Sequence, residues 1–79
     1  MTRSADIREY ILGRFEDSRG RGEDSSILVS GDIARELNLR NRMPMVCGVM
    51  YSLMKSGDEI LHKTPSGQSS TIKIRYQIA

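Results

Sequence analysis

Apolar residues at Ile7, Tyr10, Ile11 and Phe15 recur at intervals of three and four, the spacing that gathers side chains on one face of an α-helix. Ser4 suits the cap of that helix and Gly20 its stop, so the pattern predicts a first helix from Ala5 to Ser18. Leu12 falls off the stripe and reads either as a flank of the core or as a small contact for a partner. The stretch from Arg19 to Ser25 holds two glycines, four charges and no apolar residue, which predicts a flexible loop. Its RGRG run offers cations to a phosphate backbone, but Glu23 and Asp24 follow at once. Ser26 to Val29 is a short β-rich run. It leads into Ser30, an expected N-cap for a second helix from Gly31 to Asn38, with Asp32 in the first turn and Ile33, Ala34 and Leu37 as the inward stripe. Leu39 then plugs a turn.

Residues 40–43 connect to a third helix, expected at about 44–56. Pro44 suits its first position because the missing N–H is unpaired there anyway. Val46, Val49, Met50 and Leu53 share one face of this helix, and Gly57 is expected to end it. A hairpin over 59–78 follows. Ile60 to Thr64 is strand-like, residues 65–70 are turn chemistry, and Thr71 to Ile78 alternates, with Ile72, Ile74, Tyr76 and Ile78 on the side to be buried. Thr71, Lys73, Arg75 and Gln77 occupy the wet side. No internal repeat is visible, and the expectation is one domain over residues 1–79.

Size narrows the function classes. A domain of 79 residues buries only about 60% of the surface its unfolded chain exposes, which leaves little room for a deep catalytic cleft beside the core. With one cysteine, Cys47, and one histidine, His62, neither a four-ligand zinc site nor a nucleophile–base pair has the residues it needs, so neither metal, cofactor nor catalysis is expected. A lone cysteine also excludes an intrachain disulfide and fits a reducing, cytoplasmic setting. No apolar run approaches the ~18 residues that span a bilayer. A binding module is the class that remains.

Net charge is +2, but it is unevenly spread. Residues 1–37 carry six basic and eight acidic side chains, whereas residues 38–79 carry six basic and two acidic. The second half would attract a polyanion. An order of helix, short strand, helix, turn, helix and two-stranded hairpin resembles the winged helix-turn-helix family of small bacterial and archaeal transcription regulators. The resemblance covers nearly the whole chain and is carried by Ile33, Ala34, Leu37 and Leu39, then Val46, Met50 and Leu53, and Gly57 before the hairpin. It implies an α+β fold of three helices with a short strand and a C-terminal β-hairpin wing. It also implies a DNA-binding role, with the third helix in the major groove of double-stranded DNA and the wing on the backbone.

This chain departs from that pattern in two ways. The turn between Leu39 and Val46 looks about two residues longer than in the commonest members. The outward face of the third helix, Pro44, Gly48, Tyr51, Ser52 and Lys55, holds one charge and no bidentate base reader. Arg40, Asn41 and Arg42 lie just before it, where the helix would approach the groove. Candidate DNA contacts are therefore Arg40, Asn41, Arg42, Tyr51, Ser52 and Lys55, together with Lys63, Lys73 and Arg75 on the hairpin. Each has a plainer role available: Lys55 complements a helix C-terminus, Tyr51 packs at an interface, and strand cations protect a sheet edge. Gly48 costs about 1 kcal/mol in a helix relative to Ala, so either DNA or another helix is expected close to it. Met43, Met45, Met50 and Met54 read mainly as gap-fillers, and Cys47 as an inert semi-buried thiol. The alternative function is a winged-helix protein-interaction module that binds no DNA. A homodimer, if formed, is expected to use the first helix, Leu12 included, or the hairpin.

Overall fold

The first apolar stripe builds α1, Ser4–Gly20, which buries Ile7, Ile11, Phe15 and Ser18. The computed structural model describes residues 4–78. Gly20, the expected stop, is still helical, and the chain turns at Gly22 instead. There φ is +78°, the Gly22 amide donates to the Arg19 carbonyl at 2.9 Å and the Glu23 amide to the Ser18 carbonyl at 3.0 Å. These two bonds satisfy the Arg19 and Ser18 carbonyls in the last turn of α1, so the segment expected to be a flexible loop begins as a helix cap.

β1, Ser25–Val29, runs straight into α2, Ser30–Glu36, and its outward Ile27 is half exposed between buried Ser26 and Leu28. Ser30 does not cap α2. It is fully buried, its hydroxyl donating to the Ser69 carbonyl and accepting from the Ile72 amide at 3.2 Å. Beside it, the Gly31 amide donates to the Ser70 carbonyl at 2.9 Å. The start of α2 is thus fastened to a loop some forty residues away, which a local capping argument does not anticipate. At its other end α2 closes on Asn38, which has φ 55° in place of the usual glycine, with the Leu39 amide donating to Ala34 at 2.8 Å. That bond sets Leu39 against the core, as expected.

α3, Met43–Ser52, begins with Pro44 in its first turn but stops four residues short of the expected end. Asp58 explains the early stop. One carboxylate oxygen accepts the Lys55 amide at 2.8 Å and the other the Gln77 amide at 2.7 Å, drawing residues 55–58 into a turn that Gly57 completes at φ +96°. β2, Glu59–His62, and β3, Lys73–Gln77, follow. The expected two-stranded hairpin with a separate short strand is one antiparallel sheet of three strands, in the order β1-β3-β2. β1 and β2 are its edges. The pairing of β2 is interrupted by an irregularity between Ile60 and His62.

The buried face of β3 is the expected one. Ile72, Ile74, Tyr76 and Ile78 meet Ile7, Ile11 and Phe15 of α1, Ile33 of α2, and Val46 and Met50 of α3 in a single apolar core. Phe15 and Tyr76 pack with ring centroids 4.9 Å apart. The buried Tyr76 hydroxyl donates to the Met50 carbonyl at 2.8 Å, joining sheet to α3. No helix among the described residues is long and apolar enough to cross a membrane.

Candidate nucleic-acid interface

Two cations open α3. Arg40 and Arg42 are exposed, Arg42 occupies the N-cap position, and neither side chain has a hydrogen-bond or ion-pair partner among the described residues. Asn41 between them sits at φ 55°, a conformation Asn tolerates, and it turns the chain sharply into the helix. With a rise of 1.5 Å per residue, the ten-residue helix carries the chain about 15 Å from Arg42 to Ser52.

Along that length the outward positions are neutral. Pro44, Gly48 and Ser52 are exposed, and Gly48 has no atom within 4 Å of where a Cβ would stand. Cys47 and Tyr51 lie to one side of this stripe, against the loop between β2 and β3. Tyr51 is half-buried, and its hydroxyl donates to the Gly67 carbonyl at 2.7 Å, while the Cys47 thiol lies 3.6 Å from the Ser69 carbonyl. Burial pushes both the Tyr51 phenol and the Cys47 thiol above their ordinary pKa values, so both stay neutral at physiological pH. The thiol is fully buried, deeper than the semi-buried place expected of it. Gly67 is buried at φ +68°, with the Tyr51 hydroxyl beside it, so the loop is held against the carboxyl half of α3. Lys63 lies over the Tyr51 ring, its Nζ 5.8 Å from the centroid. Contacts at that range are worth about 0.5–1 kcal/mol when exposed, and this one leaves the ammonium facing solvent.

On the other side of the stripe, Ser4, Ala5 and Arg8 of α1 line an open groove of about 270 Å³ with Val49 and Ser52 of α3. Arg8 is exposed and without a partner among the described residues. Sequence reasoning missed it. Its place one position past Ile7 marked the edge of the apolar stripe, but no local signal tells which helix will lie alongside.

Of the remaining expected site residues, Ser52 shares this surface but with its hydroxyl already bonded, and Lys55, Lys73 and Arg75 do not join it. Lys55 lies beyond α3, not on its outward face, and its Nζ donates to the Gln77 carbonyl at 2.9 Å. The Ser52 hydroxyl turns back to the Val49 carbonyl at 2.8 Å within its own helix. Lys73 and Arg75 leave β3 on the face opposite Ile74 and Tyr76, away from the core and from α3. Arg75 is ion-paired with Glu59 across the strands, and Lys73 lines an open groove of about 600 Å³ with Val29, Leu61, His62 and Thr71. Alternation in a strand separates successive side chains by a half-turn, so the cations of β3 follow from its buried face and cannot point the same way.

The expected interface therefore divides. Arg40, Asn41, Arg42, Tyr51 and Lys63 border α3, joined by Arg8; Lys73 and Arg75 belong to the outer sheet. Comparison with family models, with characterised proteins and with solved structures finds no match to this chain.

Proposed function

We propose that this chain is a winged helix-turn-helix protein that binds duplex DNA along α3, as a transcription regulator of the cytoplasm. In this reading the loop between β2 and β3 is the wing. The observation that carries it is the arrangement of charge around α3: a neutral helix face about 15 Å long with Arg40 and Arg42 at one end and Lys63 and Arg8 flanking the other. The major groove is about 12 Å wide and walled by phosphates on both sides. A helix laid into it meets anions near its ends and base edges along its middle, which matches where this chain places cations and where it does not.

The same pattern sets the kind of recognition. Pro44, Gly48 and Ser52 offer no guanidinium or amide to a base, and Ser52 already bonds within the helix. Affinity then comes from phosphate contacts and is largely indifferent to sequence, apart from what Arg40, Asn41 and Arg42 read at the groove edge. Gly48 adds room for close approach of the helix.

A protein-interaction module is the second reading, favoured by one observation. The bare backbone at Gly48 beside Pro44 and Ser52 is also a surface on which another helix could pack. Chemical-shift mapping with a non-specific duplex at low salt separates the two. The DNA reading predicts shifts at residues 40–42, along the outward face of α3, at Arg8 and through 63–70. An absence of shifts at ~10⁻⁴ M, near the weak end of non-specific affinities, or shifts confined to the outer sheet, contradicts it.

A further inference from the structure

We propose that the free edge of β1 is a self-association surface, on which a second copy of this chain pairs antiparallel, strand to strand, about Ile27. This inference is independent of the DNA reading. The Ile78 amide donates to the Asp24 carbonyl at 3.0 Å and the Ser30 amide to the Ile72 carbonyl at 2.9 Å. Because antiparallel partners bond at every second residue, these two bonds make the even-numbered residues of β1 the ones turned to β3. Ser25, Ile27 and Val29 then aim their N–H and C=O groups away from the sheet, and no backbone partner meets them among the described residues.

Natural sheets protect such edges with charges, prolines or bulges. β2, the other edge, has that protection in Glu59, His62 and the irregularity between Ile60 and His62. β1 has none. Residues 25–31 carry no charge, the pairing of β1 with β3 is regular over all five residues, and Ile27 is 50% exposed, the most open large apolar side chain described.

A second copy fits this edge better than an unrelated strand does. Pairing centred on Ile27 sets Ser25 opposite the other copy's Val29, so the three outward residues of each strand meet one another with none left over. It places the two Ile27 side chains side by side, flanked by the stems of the two Arg75 residues, which lie opposite Ile27 in the existing register. A five-residue edge buries much less than the ~1,200 Å² of a standard stable interface, so the dimer is weak and fills at roughly 10⁻⁴ M and above.

Sedimentation equilibrium of the whole chain from ~10⁻⁵ to ~10⁻³ M tests this, a span bracketing that weak range. The wild type is expected to rise from 8.9 kDa towards twice that mass. Ile27→Lys is expected to stay monomeric throughout, and Leu12→Lys, at the exposed apolar position of α1, to dimerise like the wild type. A wild type that remains monomeric, a dimer that survives Ile27→Lys, or one abolished by Leu12→Lys overturns the proposal. Should Ile27→Lys fail to fold by circular dichroism, hydrogen exchange on the wild type decides. The Ile27 and Val29 amides must gain protection as concentration rises, and protection independent of concentration contradicts the pairing.

Discussion

A single hydrogen has structural weight at Gly31. A Cβ there would stand 2.6 Å from the Ser70 carbonyl oxygen, which itself accepts the Gly31 amide, so the backbone of the 69–72 loop would have to move. Gly31→Ala is expected to cost about 1–3 kcal/mol in urea unfolding, the range for overpacking a tight contact, whereas Gly48→Ala, where nothing stands within 4 Å, should gain up to about 1 kcal/mol. Both glycines lie in helices and look alike in sequence; only the partner decides between them. Burial also gives the protein an alkaline limit. Desolvation raises the pKa of Cys47 and, further, that of Tyr76, so folding favours the protonated form of each. That stability is complete below the unfolded pKa values, about 8.5 for a thiol and 10 for a phenol, and is lost as pH rises past them. Urea midpoints should therefore hold steady near neutrality, begin to fall above pH ~8.5, the thiol value, and fall more steeply above pH ~10, the phenol value. Tyr76→Phe is expected to be weaker at neutral pH by about 1–3 kcal/mol, because the Met50 carbonyl loses its donor, and to flatten the fall above pH ~10. An equal fall in the variant would assign the alkaline limit to another group.

At the scale of elements, apolar period proved a sound guide to where helices and strands lie, since it reports which face each must bury. Ile7–Ile11–Phe15, Val46–Met50 and Ile72–Ile74–Tyr76 are all buried as the spacing required. Element ends were less legible. α1 runs on to Gly20 because Gly22 supplies the cap, α3 stops at Ser52 because Asp58 takes two backbone amides, and Ser30 leaves its expected cap for a loop distant in sequence. Each boundary is set by a contact whose partner the local pattern does not name. Asn38 is the test of this at one terminus. Its left-handed φ of 55° closes α2 and seats Leu39 on the core. Asn38→Gly should leave stability unchanged or slightly higher, while Asn38→Val should lose about 1–2 kcal/mol, the cost of a branched side chain in that conformation. Equal stabilities for the two would remove the conformational account of this cap.

Across the whole molecule, the sequence located the cations but not their faces. Arg40 and Arg42 were legible as α3 contacts because they adjoin it in the chain. Lys73 and Arg75 face away from α3 because a hairpin offers two faces and the core takes the other, and Arg8 gave no signal because the helix beside it is some forty residues distant in sequence. Three cations without a side-chain partner among the described residues, Arg8, Arg40 and Arg42, and Lys63 over the Tyr51 ring surround one neutral helix; on the proposed reading each phosphate contact would release counterions with a slope of about 0.9 in log K against log salt. The most direct measurement is the salt dependence of duplex binding, followed by fluorescence anisotropy, for the wild type, Arg40→Ala/Arg42→Ala, Arg8→Ala and Lys73→Ala. The account predicts that the double variant lowers the slope by about two units and Arg8→Ala by about one, while Lys73→Ala leaves it unchanged. A slope that Lys73→Ala reduces and the double variant does not would move the contact to the outer sheet and contradict it.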